Sequence, residues 1–222
     1  IITTFSNDSA KTETISLQAK KDAEQQELYL LNIYPEMQYQ EAKFFGGAIT
    51  DAVADTLEKM PKAAAQEIID AYFGKDGIGY RFIRTHIDSC DFATGQYAAI
   101  TEPDDRNFSD FSLEYVENRT LRWIKEAYRA AGEALPVMLS PWSPPAFMKT
   151  NGSRVGGGHL KKEYYGDWAS YICRYIKEFR ARGVNVTALS VQNEPNATQT
   201  WDSCLFTPDE ERTFLKDYLY PA

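Results

Sequence analysis

One stretch decides the fold: Val186-Thr187-Ala188-Leu189-Ser190-Val191-Gln192-Asn193-Glu194-Pro195. Its small and apolar residues predict a short buried strand, which stops at an Asn-Glu pair followed by proline. A carboxylic acid at the carboxyl end of a barrel strand is well placed for acid/base chemistry, and Pro195 helps to fix its direction. The alternative interpretation of Glu194 is an ordinary glutamate in a surface loop.

The composition is that of a globular protein. Of 222 residues, 43% are hydrophobic and 25% are charged, and no apolar run approaches the ~20 residues that a membrane span needs. The net charge of −8 opposes a nucleic-acid partner, because phosphate binding needs clustered Lys and Arg. The start of the chain lacks the basic-then-apolar layout of a signal peptide, but a signal removed earlier leaves the compartment open.

The cysteines and histidines do not form a metal-binding pattern. Cys90, Cys173 and Cys204 are widely spaced and odd in number, which favours free buried thiols. His86 and His159 lie far apart and near no CxxC pair, which argues against zinc. The glycine-rich segment 151–159 lacks the GK[ST] ending of a phosphate-binding loop. We therefore expect neither a metal nor a cofactor.

Three earlier segments repeat the strand-then-helix pattern. Strands are predicted at 44–50, 78–87 and 136–140, and helices at 51–60, 64–72, 113–131, 168–182 and after Thr207. Strands that alternate with helices indicate an α/β fold with a parallel sheet. Because polar residues collect at the carboxyl ends of the strands, a (β/α)8 TIM barrel is favoured over a doubly wound sheet.

The number of strands is too small for a closed barrel. Such a barrel needs eight strands and roughly 250 residues, whereas about four strands are recognisable here. Four parallel strands leave two unpaired edges. We therefore expect residues 43–222 to be the first half of a barrel whose C-terminal half lies outside this sequence.

Residues 1–42 differ in pattern from the strand-helix repeats of residues 43–222. One short strand is predicted around Thr12, Thr14, Ile15 and Leu17, and a second at Leu28–Ile33, with a turn signal at residues 20–22 between them. Residues 36–40 are a further strand or a linker. We interpret residues 1–42 as a β appendage in front of the barrel.

Other side chains near the predicted strand ends are candidates for a binding site. Asp91 is either a loop or cap residue or an acceptor for a sugar hydroxyl. Trp142, set among prolines, is either core or a rigid pocket wall. Trp201 would line the pocket from the loop after Glu194.

The strand at 78–87 carries three polar side chains in alternation. Alternation puts Arg84, His86 and Asp88 on one side of it. An arginine inside a barrel needs a carboxylate partner, and we expect that partner to be a second catalytic acid. His86 is more often a satisfied core residue than a base.

Four blocks occur in order along the chain: Phe45–Ala52; Ile83-Arg84 with Ser89–Phe92; Ser140-Pro141-Trp142 with Lys149–Gly152; and Asn193-Glu194-Pro195. Together they are similar to glycoside hydrolase family 30, in the branch of glucosylceramidases and β-1,6-glucanases. The resemblance runs from about Phe44 to the end of the sequence. It implies a (β/α)8 barrel with an attached β-sandwich, to which the first ~40 residues would contribute, and cofactor-free retaining hydrolysis of a β-glycosidic bond.

The resemblance also assigns roles. Glu194 would be the general acid/base, and Asn193 would contact the sugar 2-hydroxyl. Asp91 and Trp142 would hold the sugar in the first subsite, and Arg84 would steady the nucleophile.

The family's nucleophile is a second glutamate on a later strand, and no carboxylate of this sequence matches its motif. Retaining hydrolysis needs two carboxyl groups about 5–5.5 Å apart, so we expect this chain alone to be inactive. The partners implied are a carbohydrate or glycolipid substrate and the missing half of the barrel. Glucosylceramide-like β-glucosides, β-1,6-glucan and β-xylosides remain open as substrates. The second hypothesis is a non-catalytic or degenerate carbohydrate-binding fragment.

Overall fold

A computed structural model of the protein describes residues 2–6, 9–13, 16, 18, 32–102 and 105–222. The chain divides into two compact units, Ile1–Glu41 and Ala42–Ala222. In the first unit, β1 (Ile2–Ser6) pairs with β2 (Ser9–Glu13) in antiparallel orientation. Of the strand predicted around Thr12, only Thr12 lies in β2, and Thr14, Ile15 and Leu17 lie outside the described residues.

The other predictions for this unit have mixed outcomes. Most of the strand predicted at Leu28–Ile33 lies outside the described residues, and Asn32 and Ile33 are not in a strand. Residues 36–40 form no strand and begin within a turn in which Met37 N donates to Tyr34 O at 3.0 Å. The strand alternative for this segment is therefore wrong, and the linker interpretation stays a prediction.

The second unit is built on four parallel strands in sequence order: β3 (Gly46–Ala48), β4 (Phe82–Ile87), β5 (Val137–Pro141) and β6 (Val186–Leu189). The predicted parallel sheet is confirmed. Val137 pairs with Val186 and Met138 with Ala188, so Thr187 is an extra residue in β6. Such a bulge changes the direction of the residues after it.

The helices begin and end where local sequence signals predict. At the start of α1 (Asp51–Lys59), the Thr50 hydroxyl caps the first turn by accepting from Val53 N at 3.3 Å. Pro61 separates α1 from α2 (Lys62–Phe73) because proline cannot continue a helix.

The predicted helix at 113–131 is present but kinked. It consists of α3 (Glu114–Val116), a π-helical turn (Glu117–Leu121) and α4 (Arg122–Ala131). Arg119 has non-helical dihedral angles (φ −119°, ψ −106°) inside the π-helical turn. Gly132 then ends α4 with φ +75°, a conformation that glycine adopts easily.

Two helices complete the unit. One is α5 (Tyr165–Ala181), and the other is α6 (Pro208–Phe214), which starts with a capping box of Thr207 and Glu210 and continues into a π-helical turn (Leu215–Leu219). The apolar stripe of α5 is buried except for Ile176, which is half-buried. It packs with the sheet into one core, whose fully buried members include Ile83, Ile87, Val137, Leu139, Trp168, Tyr171, Ile172, Tyr175 and Phe179.

All three cysteines are free: Cys90 and Cys204 are buried, and Cys173 is half-buried. Within the described residues, no helix has both the length and the apolar character to cross a membrane. The same residues contain no cluster of His, Cys, Asp and Glu suited to a metal ion.

Candidate active site

The Asn193-Glu194 pair lies beyond the end of its strand. β6 ends at Leu189, so Glu194 is not at the tip of a strand that extends to Pro195, as the sequence suggested. The chain nevertheless continues beside β5, because Ser190 N donates to Leu139 O at 3.0 Å and Asn193 N donates to Pro141 O at 2.9 Å. The pair is therefore held at the carboxyl end of the sheet without being part of the strand.

Glu194 has an unusual backbone. Its φ of +46° is left-handed, a conformation that costs a non-glycine residue roughly 1–3 kcal/mol and is common at functional sites. The surrounding hydrogen bonds hold this turn: Gln192 Nε2 donates to Trp142 O at 2.7 Å and to Asn193 O at 2.9 Å. The Glu194 carboxylate is exposed, and Gln199 Nε2 donates to it at 3.4 Å.

Arg84, on β4, contacts both β5 and the segment beyond β6 near this turn. Its Nη2 donates to Asn193 Oδ1 at 2.7 Å and to Ser140 Oγ at 3.0 Å. Its guanidinium carbon lies 4.7 Å from the centre of the Trp142 ring. The structure thus brings together three predicted site residues, two of which are 109 positions apart in the sequence.

This cluster has unused hydrogen-bonding capacity. Arg84 Nε and Trp142 Nε1 are buried and have no hydrogen-bond partner, and Trp142 is only 6% exposed. No carboxylate of the described residues forms an ion pair with Arg84. A half-buried guanidinium without a carboxylate has an uncompensated charge, so this face of the cluster is suited to an additional acidic group.

His86 is a structural residue. Its Nε2 accepts from Asp51 N at 3.0 Å, so its Nδ1 carries the proton and donates to Asp88 O at 2.5 Å. Burial lowers the pKa of His86, which keeps the ring neutral. The interpretation of His86 as a satisfied core residue is confirmed.

Asp88 is separated from Arg84. β4 ends at Ile87, and Asp88 has a φ of +58°, so the alternation that would align it with Arg84 stops one residue earlier. Its carboxylate accepts from Tyr171 Oη at 2.7 and 2.8 Å instead. Burial raises the pKa of Asp88, and the nearby Arg154 opposes that shift.

Asp91 and Trp201 line a separate groove of about 230 Å³. Asp91 is exposed, Trp201 is 40% exposed, and Cys90, Gln96 and Thr200 also line the groove. We call it the rim groove. No hydrogen bond within the described residues joins Asp91 to Arg84 or Trp142, so a subsite shared by Asp91 and Trp142 stays a prediction.

Sequence reasoning missed a buried ionic cluster next to this groove. Arg154 donates to Asp202 at 2.9 Å through Nη2 and at 3.3 Å through Nε, and it lies 3.5 Å from Asp88 Oδ2 through Nη1. We call these three residues the rim triad. All are at least nine-tenths buried, and no local pattern in the sequence links residues 48 and 66 positions apart.

Lys149 is buried beside the rim triad. Its Nζ donates to Arg154 O at 3.1 Å and to Ser203 O at 2.5 Å. Burial lowers the pKa of Lys149 to about 8. The lysine belongs to the Lys-Thr-Asn-Gly block, but nothing in that block predicts its burial.

The second unit has a known counterpart among protein families. The model of the glycosyl hydrolase family 30 TIM-barrel domain matches residues 42–222. The chain belongs to glycoside hydrolase family 30. The TIM-barrel fold expected from the strand order is thereby confirmed for the family-30 domain.

Relatives of this family-30 chain are similar over most of its length. The lysosomal acid glucosylceramidase of Mus musculus is 33% identical over 202 residues, which is 87% of this chain and 39% of that protein. The structure of SrfJ from Salmonella typhimurium matches with a TM-score of 0.80 and 40% identity over 84% of this chain and 42% of that one. An endo-β1,6-glucanase structure matches with a TM-score of 0.76 and 29% identity over 85% and 42%. The chain spans about two fifths of the length of these relatives.

Proposed function

We propose that this chain provides the acid/base half of a retaining β-glycosidase, with Glu194 as the general acid/base. The observation that carries the proposal is the incomplete cluster of Arg84, Trp142 and Asn193 next to Glu194. Its guanidinium contacts Asn193 at 2.7 Å and has no carboxylate partner within the described residues. A glutamate from outside this sequence would supply that carboxylate and act as the nucleophile.

In the first step, the nucleophile's carboxylate attacks the anomeric carbon while the glycosidic C–O bond breaks. Glu194 gives its proton to the departing oxygen, as an acid at hydrogen-bond distance can do. In the second step, the Glu194 carboxylate takes a proton from water. That water attacks the anomeric carbon and releases the nucleophile. The exposure of Glu194 suits it for exchange of this proton with solvent.

The other site residues support sugar binding. The Asn193 side chain is oriented by Arg84 and keeps its amide hydrogens available for a sugar hydroxyl. Asp91 provides carboxylate oxygens for hydroxyls, and Trp142 and Trp201 provide flat aromatic faces. In this proposal, residues 1–42 contribute to the attached β-sandwich that the resemblance implies.

The test uses the chain alone and the complete protein that carries the second glutamate. We expect no turnover of aryl β-glucosides by the 222-residue chain and turnover by the complete protein. Glu194→Gln in the complete protein should lower kcat by about 10²–10⁴-fold for a substrate with a poor leaving group. With a dinitrophenyl glycoside, Glu194→Gln should lower the rate of the first step much less, because dinitrophenolate leaves without being protonated. Glu67→Gln, an exposed carboxylate on α2, is the matched control.

Turnover by the chain alone that Glu194→Gln abolishes would contradict the need for a second carboxylate. A complete protein that binds sugar without hydrolysing it would favour a non-catalytic carbohydrate-binding protein instead. Comparison of an aryl β-glucoside, a β-xyloside, β-1,6-glucan and glucosylceramide would then assign the substrate class, including whether it is a glycolipid.

A further inference from the structure

The loops that come after β4, β5 and β6 are joined to one another in two different ways. The loops after β5 and β6 are joined by their backbones: Gly156 N donates to Gln199 O at 2.8 Å, Ser203 N to Arg154 O at 3.0 Å, and Leu205 N to Gly158 O at 2.8 Å. This ladder fixes the two loops to each other whatever their side chains do.

The loop after β4 is joined to the loop after β6 by side chains alone within the described residues. Asp202 accepts from Ser89 Oγ and, at 3.2 Å, from Gln96 Nε2. Both donors belong to the loop that carries Asp91, and Asp202 directly follows Trp201. The two walls of the rim groove are therefore held together through one carboxylate that is 2% exposed.

Arg154 holds that carboxylate in place. It donates twice to Asp202, and its remaining arm lies 3.5 Å from Asp88 at the start of the Asp91 loop. The planar guanidinium reaches both carboxylates at once, which a lysine ammonium cannot do in the same geometry. We infer that Arg154 is a positioning residue, which sets the separation of Asp91 and Trp201 across the rim groove.

The opposite side of the Asp91 loop is held independently. Asp51 Oδ2 accepts from Thr94 N at 2.7 Å and from Thr94 Oγ1 at 2.8 Å. These bonds attach the loop to the start of α1. When the triad is weakened, we therefore expect the loop that carries Trp201 to move away from the Asp91 loop together with the loop after β5, to which its backbone is bonded.

The test follows the environment of Trp201 by ¹⁹F NMR in the absence of sugar. The chain contains four tryptophans, so labelling with 5-fluorotryptophan gives four ¹⁹F resonances, and Trp201→Phe assigns one of them. Arg154→Lys keeps the charge but loses the second arm of the guanidinium. We expect it to shift the Trp201 resonance and to raise its H₂O/D₂O isotope shift by up to about 2.5-fold, the ratio of complete exposure to the 40% exposure of Trp201 in the native chain. The resonances of Trp123 and Trp168 should not change.

Two further variants keep the test decisive if Arg154→Lys folds poorly. Ser89→Ala removes one donor to Asp202 and should produce a smaller shift of the same resonance. Arg122→Lys is the control, because Arg122 also pairs with a carboxylate, Glu58 at 3.4 Å, but is half exposed on α4. An unchanged Trp201 resonance in both rim variants would overturn the inference, and so would equal shifts of all four resonances, because a general loss of stability would produce them.

A second part of the test rests on the proposed function. Methyl β-D-glucopyranoside is titrated into the native chain and into Arg154→Lys while the Trp201 resonance is observed. We expect the dissociation constant to rise about tenfold in the variant, the effect of about 1.4 kcal/mol. If the native chain does not respond to the sugar, the proposed sugar site fails, whereas the sugar-free measurement still decides the role of Arg154.

Discussion

Arg84 and Arg154 both have guanidinium groups near the carboxyl ends of the sheet, but they differ in their partners. Arg154 lies between two buried carboxylates of its own chain, Asp88 and Asp202. Arg84 contacts Asn193, Ser140 and the Trp142 ring, and forms no ion pair within the described residues. The difference separates a buried arginine from a half-buried one. Arg154 is neutralised by two carboxylates and joins loops, whereas Arg84 has no carboxylate partner within the described residues.

The largest expected effect on stability is at Arg154. Arg154→Met leaves Asp88 and Asp202 buried without their cation, so we expect the free energy of unfolding to fall by about 3–5 kcal/mol. Urea denaturation followed by circular dichroism measures this. Arg122→Met, which removes a half-exposed ion pair, should change the same quantity by less than about 1 kcal/mol. Equal losses in the two variants would remove the distinction between buried and surface arginines.

Lys149 should show an intermediate effect that depends on pH. Its pKa is about 8 in the folded chain and 10.5 as a free side chain, so between these values the unfolded state binds more protons. Stability from this group therefore rises with pH, by about 2 kcal/mol between pH 7 and pH 9.5. The unfolding free energy of the native chain minus that of Lys149→Met should therefore increase by that amount between pH 7 and pH 9.5. The other titrating groups contribute equally to both proteins and cancel in this subtraction. A value that does not change with pH would refute the lowered pKa of Lys149.

The smallest effect on stability is expected at Arg84. Arg84→Met keeps the aliphatic stem and loses the hydrogen bonds to Asn193 at 2.7 Å and to Ser140 at 3.0 Å. Ser140 keeps its hydrogen bond to Ser190, so we expect a net cost of about 1 kcal/mol. Urea denaturation of the chain should show a loss of that size. A loss as large as that of Arg154→Met would mean that Arg84 is also a structural residue, and the proposed place for a second carboxylate would lose its support.

Much of the fold was predictable because its signals are local. Thr50 and Thr207 cap helices, Pro61 and Gly132 end them, and the stripe of α5 has helical spacing. Each of these features depends on residues within a few positions of one another. The strand limits were less accurate: the segment at 44–50 forms only three residues of strand, and β6 stops at Leu189. Strand ends depend on the neighbouring strand, which the local sequence does not contain.

The candidate site was predictable only in part. The sequence alone singled out Glu194, Asn193, Asp91, Trp142, Trp201 and Arg84, since polar or aromatic side chains after apolar strands are unusual. It did not indicate Arg154, Asp202 or Lys149. A charged residue in a polar or glycine-rich loop looks like any solvated residue until the fold buries it.

By itself, the sequence determined the repeated strand-helix order, the helix ends and the Asn-Glu pair after the last strand, because short-range periodicity and turn chemistry specify them. Only the tertiary structure decided that Arg154 pairs with carboxylates and that Arg84 does not pair with one within the described residues. That choice depends on contacts between residues 48 to 109 positions apart. It also gave Glu194 its left-handed backbone, which hydrogen bonds from β5 and from the chain after Pro195 hold in place.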